Sequence, residues 1–88
     1  MSMIVEKKVI VQLETGLHAR PAAEFVQEAG KYVSEIHIVK GSKEANAKSI
    51  MGVMAMAVGK GTEIILRAKG KDAEQAIEAL VAIVDRHE

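Results

Sequence analysis

A histidine and an arginine, separated by one residue, occupy the point where the sequence changes from a strand pattern to a helix pattern. Gly16 permits a tight turn and Pro21 fits only the first turn of a helix, so we expect a helix that begins at Ala19. His18 then lies beside the free N–H groups of a helix N-terminus, and Gly16 and Ala19 border this anion-binding corner. Arg20 adds a planar cation that matches phosphate oxygens. A neutral imidazole in such a corner can act as a nucleophile toward a phosphoryl group.

The same spacing also fits a plain structural interpretation. In that interpretation His18 only precedes a helix, and Arg20 is a solvated charge. An isolated histidine near a helix start more often has a structural role than a chemical one. The spacing by itself therefore leaves both interpretations open.

Ser49 begins the second segment that contains a residue capable of chemistry. Serine is a favoured N-cap residue, so we expect a short helix to begin after it. A phosphoryl group on Ser49 would be tolerated at a helix N-terminus and would add about two negative charges to the surrounding surface. The alternative is that Ser49 serves only as a cap.

Five large apolar side chains follow Ser49, too many for one face of a short helix. Some of them should therefore be exposed, and flexible Met side chains favour a docking surface for other proteins. In the alternative interpretation they belong to the core. The five residues are Ile50, Met51, Val53, Met54 and Met56.

Hydrophobic periodicity places these segments among seven predicted elements. Alternation of apolar and polar residues predicts strands, and apolar residues three or four positions apart predict helices. The order strand, helix, strand, strand, short helix, strand, helix indicates an α+β fold in which helices cover one face of an antiparallel sheet. The predicted elements are strand Val5–Leu13 with Val9, Val11 and Leu13 inward; helix Ala19–Ala29 with Ala22, Phe25, Val26 and Ala29 inward and Gly30 as its stop; a strand around Ile36 and Ile38; strand Lys43–Ala47; a helix from Ser49 closed by Gly59 and Gly61; strand Glu63–Lys69; and a helix with Asp72 as N-cap and Ala73, Ala76, Ile77, Leu80 and Val84 inward.

The composition narrows the class of protein. The 88 residues suit one domain, and 12 Lys and Arg against 12 Asp and Glu give a net charge of 0, which argues against a basic nucleic-acid binder. Aromatic residues make up 2% of the chain, which leaves no stacking platform for single-stranded nucleic acid. No apolar stretch is long enough to span a bilayer, so we expect no membrane insertion. The absence of cysteine fits the reducing cytoplasm.

No other group of residues in the sequence suggests a cofactor or a metal. His37 and His87 are far from His18 in the sequence and have no cysteine partners, so we expect no metal site. The segment Val58–Thr62 lacks the first glycine and the Ser or Thr of a phosphate-binding loop, and we expect no nucleotide hydrolysis by this chain. Four lysines could form a weak basic rim, but we interpret them as solvated surface charge: Lys40, Lys43, Lys48 and Lys60.

Two segments carry a resemblance to a known family. Gly-Leu-His-Ala-Arg-Pro-Ala at Gly16–Ala22 and Lys-Ser-Ile-Met-Gly-Val-Met at Lys48–Met54 resemble the two signature segments of HPr, the histidine-containing phosphocarrier proteins of the sugar phosphotransferase system. The resemblance extends over nearly the whole chain, and residues 1–88 are expected to form a single HPr-like domain. It implies an open-faced β-sandwich in which three helices cover one face of a four-stranded antiparallel sheet (βαββαβα).

The resemblance also implies roles for individual residues of a carrier that is not an enzyme on its own. His18 matches the histidine that accepts a phosphoryl group from enzyme I and passes it to the A domains of enzymes II, and Arg20 matches the arginine that assists. Ser49 matches the serine that HPr kinase/phosphorylase phosphorylates in members that also act as corepressors of the catabolite control protein. The family's partner-docking patch corresponds to Ile50, Met51 and Met54.

Other matches point to Crh, the catabolite-repression paralogue within the same family. Ala22–Ala29 and Asn46–Ser49 also resemble Crh, which keeps the regulatory serine but has lost the active histidine. His18 is present in this chain. The alternative function is therefore a Crh-like regulator that acts mainly through phosphorylated Ser49. The sequence leaves open which duty dominates, which sugars are served, and whether the chain is a monomer or a strand-swapped dimer.

Overall fold

The computed structural model describes residues 3–87 and has the predicted order of elements. Four strands and three helices follow one another along these residues as βαββαβα. None of the described helices is both long and apolar enough to cross a membrane. The bounds are β1 Ile4–Ile10, α1 Ala19–Ala29, β2 Glu35–Lys40, β3 Lys43–Asn46, α2 Ile50–Ala55, β4 Glu63–Lys69 and α3 Ala73–Val84.

The strands form one antiparallel sheet with the order β1-β4-β2-β3. β4 has the alternation that the sequence predicts, since Ile64, Leu66 and Ala68 are buried whereas Glu63 and Lys69 are exposed. One face of the sheet therefore packs on the helices and the other remains open. This arrangement confirms the predicted open-faced α+β sandwich.

The core lies between the inner face of the sheet and the helices. The predicted inward stripes of α1 and α3 are confirmed, except that Val26 is only half-buried against this core. Each large apolar side chain removed from water in this way contributes about 1.5–3 kcal/mol to folding. The buried residues of the two long helices are Ala22, Phe25, Ala29, Ala73, Ala76, Ile77, Leu80, Ile83 and Val84.

β1 ends at Ile10, before the predicted end at Leu13. The backbone N–H of Gln12 donates to the carbonyl of Val84 at the end of α3, 2.8 Å away, instead of continuing the ladder with β4. Val11 and Leu13 are nevertheless fully buried. Their alternation reflects burial in a connecting segment, which periodicity does not distinguish from a strand.

Asp72 occupies the predicted position before α3 but does not cap that helix. Its carboxylate instead accepts hydrogen bonds from the backbone N–H groups of Val33 and Ser34, each 3.0 Å away, and from the Ser34 hydroxyl. The Ser34 hydroxyl is the largest of the causes that lower the pKa of Asp72. The prediction of a capping side chain was wrong, because donors from the turn before β2 compete for the carboxylate.

Candidate functional site

The turn before α1 is fixed by its backbone. Gly16 has φ 70°, a left-handed conformation that favours glycine, and its N–H donates to the Leu13 carbonyl 3.0 Å away. A Cβ atom on Gly16 would lie 2.2 Å from the carbonyl oxygen of Val58, so no side chain fits there. Leu17 is buried and donates its N–H to the same Val58 oxygen at 2.9 Å. These contacts hold the turn against the segment that follows α2.

His18 occupies the N-cap position of α1, which agrees with its predicted place directly before the helix. Its side chain is exposed and makes no capping hydrogen bond, and its backbone is extended with φ −124° and ψ 158°. The next residue, Ala19, has φ 48°, a conformation that costs a residue other than glycine about 1–2 kcal/mol. Pro21 has no N–H, and the N–H groups of Ala19 and Arg20 find no acceptor within residues 3–87. Two free N–H donors therefore directly follow His18 in the chain.

The charged residues around this corner differ in their pairing. Glu24, one turn along α1, is held by Arg86 through two hydrogen bonds of 2.7 Å, and the bond from Arg86 lowers the pKa of Glu24. Glu14 lies 2.7 Å from the Lys60 ammonium, whose hydrogen bond lowers the pKa of Glu14. Arg20 is exposed and has no ion-pair partner in the described part of the chain. Since the nearest carboxylates in the sequence are engaged elsewhere, the Arg20 guanidinium remains available to an anion.

Ser49 is the N-cap of α2, which confirms this sequence prediction. Its Oγ accepts a hydrogen bond from the N–H of Gly52 at 3.1 Å, and its backbone is extended with φ −109° and ψ 114°. A Cβ atom on Gly52 would lie 3.2 Å from this Oγ, tighter than an ordinary contact. The side chain of Ser49, unlike that of His18, is therefore part of the local structure.

The apolar residues of α2 divide between the core and the surface, as predicted. Val53 and Met56 are buried, whereas Met51 is 80% exposed, Met54 42% and Ile50 39%. We call the three exposed residues the α2 patch. Such exposed, flexible side chains are typical of surfaces that contact other proteins.

The structure places the predicted site residues at the starts of two helices that pack against each other. His18, Arg20 and the bordering Gly16 and Ala19 lie at the start of α1, and Ser49 with the α2 patch lies on α2. Sequence reasoning missed Val58, whose carbonyl anchors the turn before His18. No sequence signal marks that role, because a backbone carbonyl is present at every residue.

The prediction that four lysines are solvated surface charge was wrong for Lys40 and Lys48, which are half-buried, whereas Lys43 and Lys60 are exposed as expected. Lys40 and Lys48 donate to backbone carbonyls, and Lys60 pairs with a carboxylate. Only Lys43 has no side-chain partner in the stretch from residue 3 to residue 87. The partners of the other three are at least 16 residues away in the sequence, so composition and local pattern do not identify them.

His37 lies apart from this corner. His37 is on the open face of the sheet, where its Nδ1 is 2.8 Å from a Glu44 carboxylate oxygen without hydrogen-bond geometry, and its Nε2 is 3.7 Å from a Glu35 oxygen. Among the described residues, no group of three or more His, Asp or Glu side chains converges in a way that could hold a metal ion.

Known proteins resemble this chain over most of its length. The family model PTS-HPr, described as the PTS HPr component phosphorylation site, matches residues 5–86. The HPr-like protein Crh of Halalkalibacterium halodurans is 54% identical over 83 residues, which are 94% of this chain and 99% of that protein. The phosphocarrier protein HPr of Mycoplasma capricolum is 52% identical over 71 residues, which are 81% of this chain and 80% of that protein.

A solved structure shows the same likeness in three dimensions. The crystal structure of the phosphocarrier protein HPr from Bacillus anthracis is 53% identical, and the alignment covers 92% of this chain and 96% of that one with a TM-score of 0.90. The stretch matched by the family model includes both His18 and Ser49. The chain therefore belongs to the HPr/Crh family of phosphocarrier proteins of the phosphotransferase system.

Proposed function

We propose that His18 is the phosphoryl carrier of a sugar phosphotransferase system, accepting the group from the phosphohistidine of enzyme I and passing it to the A domains of enzymes II. The observation that carries this proposal is that the His18 imidazole is exposed and makes no capping hydrogen bond. It belongs to a helix start whose first N–H groups have no acceptor within residues 3–87. Exposure suits a relay, because the same ring must enter two different active sites in turn. Phosphoenolpyruvate and ATP are cytoplasmic metabolites, so we place the relay in the cytoplasm.

The transfer exchanges one phosphoramidate for another. A ring nitrogen of His18 attacks phosphorus with its lone pair while the N–P bond of the donor histidine breaks. His18 releases its ring proton as the leaving imidazole takes one up, so protons and charge balance. In this proposal the N–H groups of Ala19 and Arg20 and the Arg20 guanidinium bind the oxygens of the transferring group; their exposure at the helix start supports this role. The bonds formed and broken are alike, so the step is reversible and requires no cofactor.

The α2 patch is the proposed docking surface for these partners. Ile50, Met51 and Met54 expose apolar area without forming a deep pocket. Met side chains adapt to partners of different shape, which suits a carrier that contacts enzyme I and several A domains. Small, adaptable contacts also favour the weak, short-lived complexes that a shuttle needs.

Ser49 is the proposed regulatory site, phosphorylated by HPr kinase/phosphorylase with ATP. Phosphate oxygens on Ser49 can accept the hydrogen bond that its Oγ now receives from Gly52, so α2 persists after modification. About two negative charges then lie beside the α2 patch, where they weaken the docking of enzyme I by desolvation and charge. The same charges create a feature that the catabolite control protein can recognise.

A Crh-like regulator is the second candidate function, favoured by the 54% identity to the HPr-like protein Crh of Halalkalibacterium halodurans. In this function phosphorylated Ser49 is the main active form and the chemistry of His18 is slow. Capture of the catabolite control protein only after Ser49 phosphorylation, together with poor phosphoryl acceptance at His18, would establish it. Rapid acceptance at His18 would favour the carrier function.

The test of the carrier function is the intact mass of the protein after incubation with enzyme I and phosphoenolpyruvate. We expect the wild type to gain one acid-labile phosphoryl group and His18→Ala to gain none. His37→Ala is the matched control, because it also removes an imidazole but leaves the start of α1 unchanged, and it should gain the group as the wild type does. Phosphorylation of His18→Ala would overturn the proposal.

A further inference from the structure

We propose that Lys40 is a positioning residue for His18, acting through the backbone at the end of α2. This inference rests on the proposed function of His18 as the reacting group. Lys40 does not lie at the start of α1. Its connection to His18 consists of two contacts and the strained turn between them, each of which the structure records.

The first contact joins β2 to the end of α2. Lys40 is the last residue of β2, is half-buried, and directs its Nζ to the carbonyl oxygens of Met56 and Ala57 at 3.0 and 3.1 Å. The last carbonyls of a helix have no partner within the helix and carry its negative dipole end. The Lys40 ammonium donates to the C-cap carbonyl of Met56 and to the next carbonyl, so it forms charge-assisted hydrogen bonds at the negative end of the helix dipole.

A strained turn links the first contact to the second. Ala57 has φ 51°, a left-handed conformation that an alanine adopts only when its surroundings enforce it. Lys40 binds the carbonyl of this residue and the carbonyl before it. The ammonium therefore holds the chain in the turn that directs the next residue, Val58, toward α1.

The second contact joins this turn to the residues before His18. The Val58 carbonyl accepts the N–H of Leu17 at 2.9 Å, and it lies so close to Gly16 that a Cβ there would be 2.2 Å away. Gly16 and Leu17 directly precede His18. A shift of the Val58 carbonyl would therefore displace the turn that places the imidazole beside the free N–H groups of α1.

The other lysines near these segments differ from Lys40. Lys60 also connects the two loops, but its partner Glu14 is largely exposed, and such surface pairs contribute little. Lys43 lies directly opposite Lys40 across the β2–β3 hairpin and has no side-chain partner between residues 3 and 87. Lys43 therefore provides a matched control that removes the same charge from the same hairpin.

The experiment compares Lys40→Met, Lys40→Arg and Lys43→Met by amide hydrogen exchange and by transfer from phosphorylated enzyme I. In Lys40→Met we expect the Leu17 amide to exchange about tenfold faster, equivalent to about 1.4 kcal/mol. The Ala47 amide, which donates to the Ile36 carbonyl directly after β3, should stay protected. We expect the maximal rate of phosphoryl acceptance to fall about three- to tenfold with an unchanged half-saturating concentration of enzyme I. Lys40→Arg should restore most of both losses, and Lys43→Met should match the wild type.

The two readouts separate this inference from the proposed function. Wild-type exchange at Leu17 in Lys40→Met would overturn the inference, whatever the result with enzyme I. Equal loss of protection at Leu17 and Ala47 would also overturn it, since Lys40 would then support only global stability. Failure of the wild type to accept a phosphoryl group would instead overturn the proposed function, because amide exchange does not depend on enzyme I.

Discussion

The starts of α1 and α2 hold the two residues proposed to carry phosphoryl groups, and they are built in opposite ways. At α1 the backbone of Gly16 and Leu17 fixes the turn, and the His18 side chain makes no capping bond. At α2 the Ser49 hydroxyl itself caps the helix by accepting from Gly52. Under the proposed function, the side chain that reacts with several partners makes no structural bond, whereas the side chain that is modified forms part of the helix start whose surface it changes.

The start of α3 provides a third arrangement. Asp72 stands at the N-cap position, but its carboxylate binds Val33 and Ser34 in a neighbouring turn. Its side chain therefore contributes to tertiary structure and not to the helix start. The N-cap residues of the three helices therefore have different physical roles, and substitutions can separate these roles.

The largest effect is expected where the backbone holds the turn before His18. Gly16→Ala places a side chain at φ 70° and against the Val58 carbonyl, so we expect a loss of roughly 3–5 kcal/mol in the free energy of unfolding. Urea denaturation measures this free energy of unfolding. The control is Gly59→Ala, whose added Cβ meets no atom within 4 Å, and which should change stability by less than about 0.5 kcal/mol. Equal stability of the two variants would show that the turn is not fixed by close backbone contact.

A smaller effect separates the two helix caps directly. Ser49→Ala removes the acceptor for the Gly52 N–H and should lower the free energy of unfolding by about 1 kcal/mol, whereas His18→Ala should change it by less than about 0.5 kcal/mol. Ser49→Asp keeps a capping oxygen, so it should stay as stable as the wild type but accept phosphoryl groups about tenfold more slowly. Thermal unfolding and the rate of transfer from enzyme I give the two quantities. An unchanged transfer rate in Ser49→Asp would show that negative charge at the α2 patch is not the regulatory mechanism.

The smallest effect concerns Asp72 and depends on pH. Hydrogen bonds, above all from the Ser34 hydroxyl, lower the pKa of Asp72 below its unfolded value of about 3.9. The stabilisation is therefore complete above that value and is lost as the pH falls through the folded-state pKa. We expect Asp72→Asn to be less stable than the wild type at neutral pH and to approach it in acid. Asp85→Asn, which removes an exposed carboxylate at the end of α3, should show no such convergence, and a pH-independent difference for Asp72→Asn would contradict the assignment.

The features that the sequence predicts correctly are those with a local cause. The alternation of β4 and the inward stripe of α3 follow from periodicity, and the N-cap role of Ser49 follows from its place before an apolar segment. The helix start at His18 and Arg20 was identifiable because Gly16 and Pro21 mark it. These patterns span only a few residues, so a single sequence suffices to detect them.

The features that the sequence does not predict depend on contacts between distant segments. β1 ends early because the Gln12 N–H donates to the Val84 carbonyl. The Asp72 carboxylate does not cap α3 because it accepts hydrogen bonds from Ser34 instead. The left-handed backbone of Ala19 and Ala57 has no sequence signal, since alanine disfavours that conformation. The anchoring of the His18 turn therefore becomes apparent only when the end of α2 is placed beside it.

The most direct test of the central claim locates the phosphoryl group by nuclear magnetic resonance. The imidazole resonances of His18, His37 and His87 would be recorded before and after incubation with enzyme I and phosphoenolpyruvate. The exposed ring at the start of α1 predicts that only the His18 resonances move to phosphohistidine positions, with a phosphorus coupling, while those of the other two histidines stay unchanged. Phosphorylation of His37 or His87, or a lack of change at His18 with enzyme I active on another carrier, would contradict the account.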